Sequence, residues 1–184
     1  MYLLNADQIR RAVEGPRGQR LDIRGFSASC LQHTSYYFRL GKFVTRLKST
    51  GNRADAFDRV IEDLSTGNGF LNLRPREYVY VESFEQFQLD AKTLGIFGGI
   101  SDITARALQL VHSPFIDPLF PGEREHGYLK LGLMNLTEAD ASIQYQDKIG
   151  KVSFFDVSDT YPVDLIPGSD SEMKFRERTR PATG

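Results

Sequence analysis

Charged residues that could transfer protons crowd one short loop in the second half of the chain. The segment PGEREHG carries Glu123, Glu125 and His126 beside a Pro–Gly turn, and carboxylates and imidazoles are common general acids and bases. Three charged residues at such a turn are also typical of a solvated loop tip. Neither His126 nor His112 has the spacing of a metal-ligand pair with the other or with a cysteine. The sequence therefore predicts no zinc site.

A helix start lies upstream of that loop. Ser101 has the side chain of an N-cap, and Asp102 falls in the first turn, where negative charge is favourable. An apolar stripe at helical spacing begins at Ile103. The pattern predicts a helix over Ser101–Val111, which is an exception in a chain otherwise rich in strand signals.

Short runs rich in aromatic and β-branched residues, separated by turn signals, make up most of the remaining chain. The predicted strands are Tyr36–Val44, Phe70–Leu73, Tyr78–Glu82, Gln86–Leu89, Tyr128–Asn135, Ser142–Tyr145 and Lys151–Val157. This spacing is typical of a jelly roll or barrel rather than of alternating β-α units. Thirteen Phe and eight Tyr with no Trp predict an aromatic-rich core.

Two more helices are predicted. Asn5 or Asp7 can cap a short helix that runs to about Val13, after which Gly15 breaks the pattern. The segment Arg53–Leu64 also has helical spacing, and its polarity predicts a helical insertion on the surface.

Composition favours one globular domain, residues 1–184, with a loose polar tail over 167–184. The formal net charge of −1 gives no overall attraction to nucleic acid or a membrane surface. No apolar run is long enough to span a bilayer. Cys30 is the sole cysteine, so no intrachain disulfide can form, which fits a reducing compartment. We expect a cytoplasmic protein that binds neither nucleic acid nor membrane.

Seven segments, in order along the chain, resemble the dCTP deaminase family of the dUTPase/dCTP deaminase superfamily. QHTSYYFRLG (32–41) resembles the family's Q-P-A-S-V-D-L-R-L-G, and IGKVSF (149–154) matches its I-G-x-L-S-F. The other five are the opening MYLLNADQIRRAVEG, then GISD (99–102), IDP (116–118), GYLKLGLMN (127–135) and KFR (174–176).

The resemblance implies a mainly β fold, a distorted jelly-roll barrel of dUTPase-like type with a few short helices. It also implies a homotrimer with deoxynucleotide sites at the subunit interfaces. Ser35 and Arg39 keep the family's residue types, and Arg39 is expected to form structural salt bridges within the trimer.

The residue expected to catalyse deamination is missing. The resemblance implies that one glutamate adds water at cytosine C4 and moves the protons, and the strand register aligns this glutamate with Gly132. Glycine cannot transfer a proton, so an empty position is expected there. Lys130, on the same face, would become a base only if desolvation lowered its pKa, and it is otherwise a solvent-facing or interface lysine. Glu123 or Glu125 could supply a relocated carboxylate.

The phosphate site implied by the resemblance is also altered. The family uses an arginine and two serines at a helix start, where backbone N–H groups favour anions, but this chain has Ile100, Ser101 and Asp102. Ser101 and Asp102 are more simply explained as helix-capping residues. Arg106 lies near the family's second arginine, and Lys174 matches a phosphate-contacting lysine of the tail.

Sugar recognition is kept in part. Asp117 matches a position near the deoxyribose in this superfamily, although an aspartate before Pro118 is also an ordinary turn residue. The family's other aspartate is Tyr37 here. The resemblance implies no cofactor for the chemistry, and Mg²⁺ would enter with a bound triphosphate.

Three functions stay open. The first is a catalytically impaired nucleotide-binding or regulatory homologue of dCTP deaminase. The second is an active dCTP deaminase or deoxynucleotide pyrophosphatase that uses a relocated carboxylate. The third is a trimeric interaction scaffold with the segment 53–64 as its contact surface. A glycine-rich closing motif of the dUTPase kind is not found in the tail.

Overall fold

The computed structural model of the chain describes residues 1–15, 20–49, 57–122 and 126–159. Two α-helices, α1 (Ala6–Glu14) and α2 (Ser101–Ala105), and a 3-10 turn at Ala28–Cys30 accompany the strands. The strands are β1 (Tyr2–Leu3), β2 (Leu21–Arg24), β3 (Tyr36–Ser49), β4 (Phe57–Asp63), β5 (Phe70–Leu73), β6 (Tyr78–Leu89), β7 (Thr93–Gly98), β8 (Leu108–Val111), β9 (Phe115–Ile116), β10 (Tyr128–Asn135), β11 (Ala141–Gln144) and β12 (Lys148–Asp156). The mainly β fold class is confirmed.

Most of these strands belong to one antiparallel sheet with the order β8-β10-β6-β3-β12-β7-β9. The long strands change partners along their length: β3 pairs with β12 near its start and with β4 and β6 further on. Such changes of partner curl the sheet into a half-barrel. β5 and β11 form a separate antiparallel pair.

The concave side of the sheet holds the core. Burial alternates strictly along β6, as expected for a strand with one solvated face. Most of the buried hydrophobic side chains among the described residues are Leu, Ile or Val, and the four largest fully buried side chains are Tyr36, Phe38, Phe87 and Phe154. The core is therefore mainly aliphatic with a few large rings, and the prediction of an aromatic-rich core overstated their share.

Helix α1 forms for local reasons. The Asn5 side chain accepts a hydrogen bond from the Gln8 N–H at 3.0 Å, and the Gln8 side chain accepts one from the Asn5 N–H at 2.9 Å. This capping box satisfies two backbone donors at the helix start. Ile9 is fully buried and anchors the helix to the sheet. Of the two predicted caps, Asn5 is the one that the structure uses.

The predicted helix over Arg53–Leu64 is wrong for the part that the structure describes. Residues 57–63 form strand β4, which pairs antiparallel with residues 43–49 of β3. Residues 53–56 lie outside the described residues. β-Branched residues such as Val60 and Ile61 favour a strand. Pairing with β3 supplies hydrogen bonds to the backbone of this strand.

The helix predicted over Ser101–Val111 is correct only in its first half. α2 ends at Ala105, and Ala107 has a positive φ of 50°, which no helix interior tolerates. Residues 108–111 then form β8 against β10. The N-cap is Ile100, which makes no side-chain cap hydrogen bond, so Ser101 is not the cap. The pairing of residues 108–111 with the edge of β10 outweighs the helical tendency that the apolar stripe indicated.

The two strands predicted over Tyr78–Glu82 and Gln86–Leu89 are one continuous strand, β6. The buried Ser83 lies between the two predicted segments. Its hydroxyl donates to the Glu85 carbonyl at 2.6 Å and accepts from the Leu129 N–H at 2.8 Å. A side chain thus satisfies backbone groups where the register with β10 shifts. The other predicted strands are found, but the one predicted over Tyr36–Val44 continues to Ser49 and the one predicted over Lys151–Val157 begins at Lys148. Strands β1, β2, β7 and β9 were not predicted.

No helix in these four described ranges is both long enough and apolar enough to cross a membrane.

Candidate functional site

A cavity of about 520 Å³ opens between the ends of β7 and β8 and the start of β10. Its wall combines aromatic rings, including Phe97, His112 and Phe115, with two charged side chains, Asp117 and Lys130. Cavities of this size that mix apolar walls with a few polar groups are typical of small-molecule sites. The structure therefore brings together Asp117, predicted to contact the sugar, and Lys130, considered as a possible base.

Strand β9 sets the position of Asp117. Phe115 and Ile116 pair with Ile96 and Gly95 of β7. The Ile116 side chain is buried against Gly95, where an added Cβ would lie 3.0 Å from it. The residue after Ile116 consequently leaves the sheet at the cavity wall.

The surroundings of Asp117 allow both of its predicted roles. Its backbone carbonyl accepts a hydrogen bond from the Phe120 N–H at 3.2 Å, which closes a turn. Its carboxylate is exposed and makes no hydrogen bond or ion pair with any described residue. The backbone thus serves the turn, while the carboxylate stays available to a ligand.

Lys130 lies on β10, on the face opposite the core, and pairs in register with Glu82. Its side chain is exposed at the cavity, so the environment does not desolvate the ammonium group. The expectation of a solvent-facing lysine fits this position better than that of a catalytic base.

His112 was considered from the sequence only as a metal ligand, and its place in the cavity was missed. Its ring packs on the Phe97 ring with centroids 4.6 Å apart. Its Nδ1 lies 2.7 Å from the Ser113 carbonyl oxygen. No sequence signal marks the residue, because the contact with Phe97 depends on two different strands meeting.

Gly132 is not the empty position that the sequence suggested. A Cβ built on Gly132 would meet the hydroxyl and ring of Tyr78, with the ring atoms Cε2 and Cζ at 2.5 and 2.6 Å. The Tyr78 ring also makes an edge contact with Tyr80, with centroids 5.2 Å apart. Burial, helped by hydrogen bonding with Tyr80, raises the pKa of Tyr78. A neutral phenol therefore fills the space beside the glycine.

The residues proposed for phosphate binding lie apart from this cavity. Ser101, Asp102 and Arg106 are exposed on α2 and at its C-cap, and none of them lines the cavity. α2 has five residues, so it contributes few aligned peptide dipoles. Lys174, Glu123 and Glu125 lie outside the described residues. The phosphate assignments stay predictions.

Arg39 has a partner inside its own chain. Its Nε donates to Glu85 Oε1 at 2.7 Å and its backbone N–H to Glu85 Oε2 at 2.9 Å, while Glu85 is fully buried. Burial and the Glu85 charge raise the pKa of Tyr36, whose hydroxyl lies 3.4 Å from the same carboxylate. The Ser35 carbonyl accepts from the Gln32 N–H at 2.8 Å. The ion pair of Arg39 is thus made within one chain, and the structural roles of Ser35 and Arg39 in a trimer stay predictions.

A second arginine cluster lies on the far part of β3. Arg46 pairs with Glu77 at 2.5 Å and with Glu62 at 3.1 Å. Partial burial alone would raise the pKa of Glu77, but hydrogen bonds from the Arg74 N–H and from Arg46 hold it below its usual value. These contacts tie β3, β4 and the start of β6 together.

Within the part of the chain that the structure describes, no three His, Cys, Asp or Glu side chains lie close enough together to hold a metal ion. The expectation that the chemistry needs no cofactor stays a prediction.

Comparison of the sequence with protein-family models finds no match, and no curated protein matches the sequence either. Solved structures do match. The 2'-deoxycytidine 5'-triphosphate deaminase of Agrobacterium tumefaciens superposes with a TM-score of 0.63 over 83% of this chain at 18% identity. The alignment covers 47% of that deaminase's chain, so this chain spans about half its length.

Two viral dUTPases are more distant. The enzyme of Staphylococcus bacteriophage 80alpha gives a TM-score of 0.48 at 10% identity, over 82% of this chain and 89% of its own. The EIAV enzyme gives 0.40 at 12% identity, over 68% of this chain and 98% of its own. The similarity to the deaminase establishes a dUTPase-like fold for this chain, and the identity is too low to carry an activity with it.

Proposed function

We propose that this chain binds a pyrimidine deoxynucleotide in the cavity around Asp117 and is a catalytically impaired relative of the dCTP deaminases. The observation that carries the proposal is the Asp117 carboxylate, which has no partner among the described residues and lies in a cavity walled by aromatic rings. A carboxylate accepts hydrogen bonds from sugar hydroxyl groups, and the face of an aromatic ring packs against a flat base. The cavity offers both kinds of contact within one space.

The position of Tyr78 supports the loss of catalysis. The phenol fills the space beside Gly132 where the resemblance places a catalytic glutamate. Because its pKa is raised, the Tyr78 hydroxyl stays protonated near neutral pH and is not a general base. Loss of the general acid–base typically slows a reaction by roughly 10²–10⁴-fold.

A homotrimer belongs to the same proposal. None of Ser101, Asp102 and Arg106 lines the cavity of their own chain, so phosphate contacts to a bound nucleotide would come from a neighbouring copy or from the tail that includes Lys174. Mg²⁺ would enter with the triphosphate rather than through a protein site. Cys30 is buried and unpaired, which suits the cytoplasm as the proposed location.

The test is a thermal-shift panel on the full chain with dCTP, dUTP and Mg²⁺, because a ligand that binds only the folded state raises its melting temperature. We expect a shift with at least one pyrimidine deoxynucleotide at millimolar concentration. Asp117→Asn should lower the affinity about tenfold, since it removes the charge from one hydrogen bond. Asp22→Asn, in a different cavity, is the matched control and should bind as the wild type does.

Chromatography of the same mixtures tests the impairment. We expect no dUTP or monophosphate above the background rate from dCTP. Turnover at enzymatic rates would refute the impaired state and would direct attention to Glu123 and Glu125, one and three positions after the cavity residue Gly122.

One observation favours a second function, the interaction scaffold. A row of residues runs across five strands on the face opposite the core, with Val111, Tyr80 and Ile61 exposed by 45%, 45% and 68%. Exposed apolar rows of this kind often mark protein interfaces. No thermal shift with any nucleotide, together with a monomer-to-trimer change abolished by Ile61→Asp, would favour this function over nucleotide binding.

A further inference from the structure

We infer that His112 sets the base preference of the cavity by accepting a hydrogen bond from an N–H group of the ligand. An amino-bearing heterocycle is then preferred over its carbonyl-bearing counterpart. The inference rests on the proposed function, because it concerns the ligand of the same cavity, and it assigns the preference to a residue outside every segment that carries the family resemblance.

The hydrogen bond at Nδ1 fixes the tautomer of His112. Nδ1 lies 2.7 Å from the Ser113 carbonyl oxygen, and a carbonyl oxygen can only accept. The proton of the neutral imidazole therefore sits on Nδ1, which leaves a lone pair on Nε2. Nε2 has no hydrogen-bond partner among the described residues.

Two contacts hold the ring in place before any ligand arrives. The ring packs on Phe97 at 4.6 Å between centroids, and the Phe97 N–H donates to the Pro114 carbonyl at 3.0 Å, which ties the segment after His112 to β7. The side chain is half-buried and lines the cavity. An acceptor held in this way discriminates between ligands at low entropic cost.

The other polar side chains of the cavity wall differ from His112 in position or in donor character. The Asp117 carboxylate also accepts, but it stands at the turn that directly follows β9, and the Lys130 ammonium only donates. The hydroxyls of Tyr128 and Ser113 can do either, and Ser113 Oγ lies 3.5 Å from the Phe115 N–H. An exocyclic amino group meets a lone pair at Nε2, whereas a carbonyl oxygen in the same place meets a second acceptor and loses its hydrogen bond to water.

dCTP and dUTP are the matched probes, because their bases differ in an amino group against a carbonyl at C4. Dissociation constants for both are measured by calorimetry on the full chain at pH 7.5 with Mg²⁺. We expect dCTP to bind about tenfold more tightly, the effect of one hydrogen bond to a fixed acceptor.

Two variants distinguish the roles of the two ring nitrogens of His112. His112→Asn keeps a donor near the Ser113 carbonyl but has no atom at the place of Nε2, and it should bind both nucleotides alike. His112→Gln can place an amide oxygen near Nε2 and should keep most of the preference. His126→Asn, an exposed histidine of another cavity, is the control and should bind as the wild type does.

The outcomes also separate this inference from the proposed function. Binding of both nucleotides with the same preference in His112→Asn as in the wild type overturns the inference alone, as does a wild-type preference for dUTP. Failure of the wild type to bind either nucleotide overturns the proposed function and the inference together.

Discussion

Replacing Gly132 by alanine tests whether the Tyr78 ring occupies its place only because position 132 has no side chain. The added Cβ would lie within 2.6 Å of two Tyr78 ring atoms, so the ring has to move. Overpacking of this kind costs about 1–3 kcal/mol, and the displaced ring also loses its edge contact with Tyr80, worth about 0.5–1.5 kcal/mol. Gly132 has no positive φ, so alanine recovers about 0.4–1 kcal/mol from the unfolded chain. We expect a net loss of about 2 kcal/mol.

A double-mutant cycle with Tyr78→Ala isolates the contact. Once the ring is gone, the three atoms nearest to the added Cβ are gone with it, so Gly132→Ala should cost much less or stabilise the fold, and the two substitutions should couple by about 1–3 kcal/mol. Free energies of unfolding come from urea titrations at one fixed protein concentration, since an oligomer's stability depends on concentration. Gly67→Ala is the control, because no atom lies within 4 Å of its Cβ and its φ is ordinary.

The reasoning about Tyr78 would be refuted by either of two results. One is a Gly132→Ala protein as stable as Gly67→Ala. The other is a double mutant whose loss equals the sum of the two single losses, which would mean that the ring and the glycine do not share one space.

Three further predictions concern the same sheet. Gly41→Ala should be more damaging than Gly132→Ala, at about 3 kcal/mol or more, because its Cβ would meet three backbone atoms of the next strand within 2.9 Å, and urea titration of the two variants checks the order. Glu77→Gln should lower the free energy of unfolding by about 1–2 kcal/mol at pH 7. The pKa of Glu77 is lowered beside Arg46, so the wild-type carboxylate stabilises the fold at pH values above the usual carboxyl value of 4.5 and loses this effect as the pH falls below it. The difference between the two proteins should therefore close at low pH, and equal losses at pH 7 and pH 3 would contradict this. Gly132→Glu should not deaminate dCTP in a chromatographic assay, since Tyr78 blocks the side chain, and robust turnover would contradict the blocked site.

Local signals were enough to predict the first helix and the strands with the strongest aromatic and β-branched patterns, but not the short strands β1 and β9 or the strands β2 and β7. The capping box at Asn5 and the strand Tyr128–Asn135 follow from neighbouring residues alone. Alternation of apolar and polar residues reflects one buried face, which any curled sheet of this kind requires. The fold class could therefore be predicted without knowledge of which strand pairs with which.

Where prediction failed, a partner distant in sequence decided the outcome. Residues 57–63 carry a helical spacing but pair with β3, and residues 108–111 leave a helix to pair with β10. In both places the segment forms backbone hydrogen bonds with the unpaired edge of a neighbouring strand. This pairing outweighs a weak local preference for helix.

The sequence by itself determined that position 132 has no proton-transferring side chain and that an aspartate stands before Pro118. Only the tertiary structure decided that Tyr78 fills the space beside Gly132 and that His112 lies in one cavity with Asp117. Residue types are fixed by the chain, but these contacts depend on the register between β6 and β10 and on the meeting of β7 with β9. Register is a property of two strands together, so no single segment encodes it.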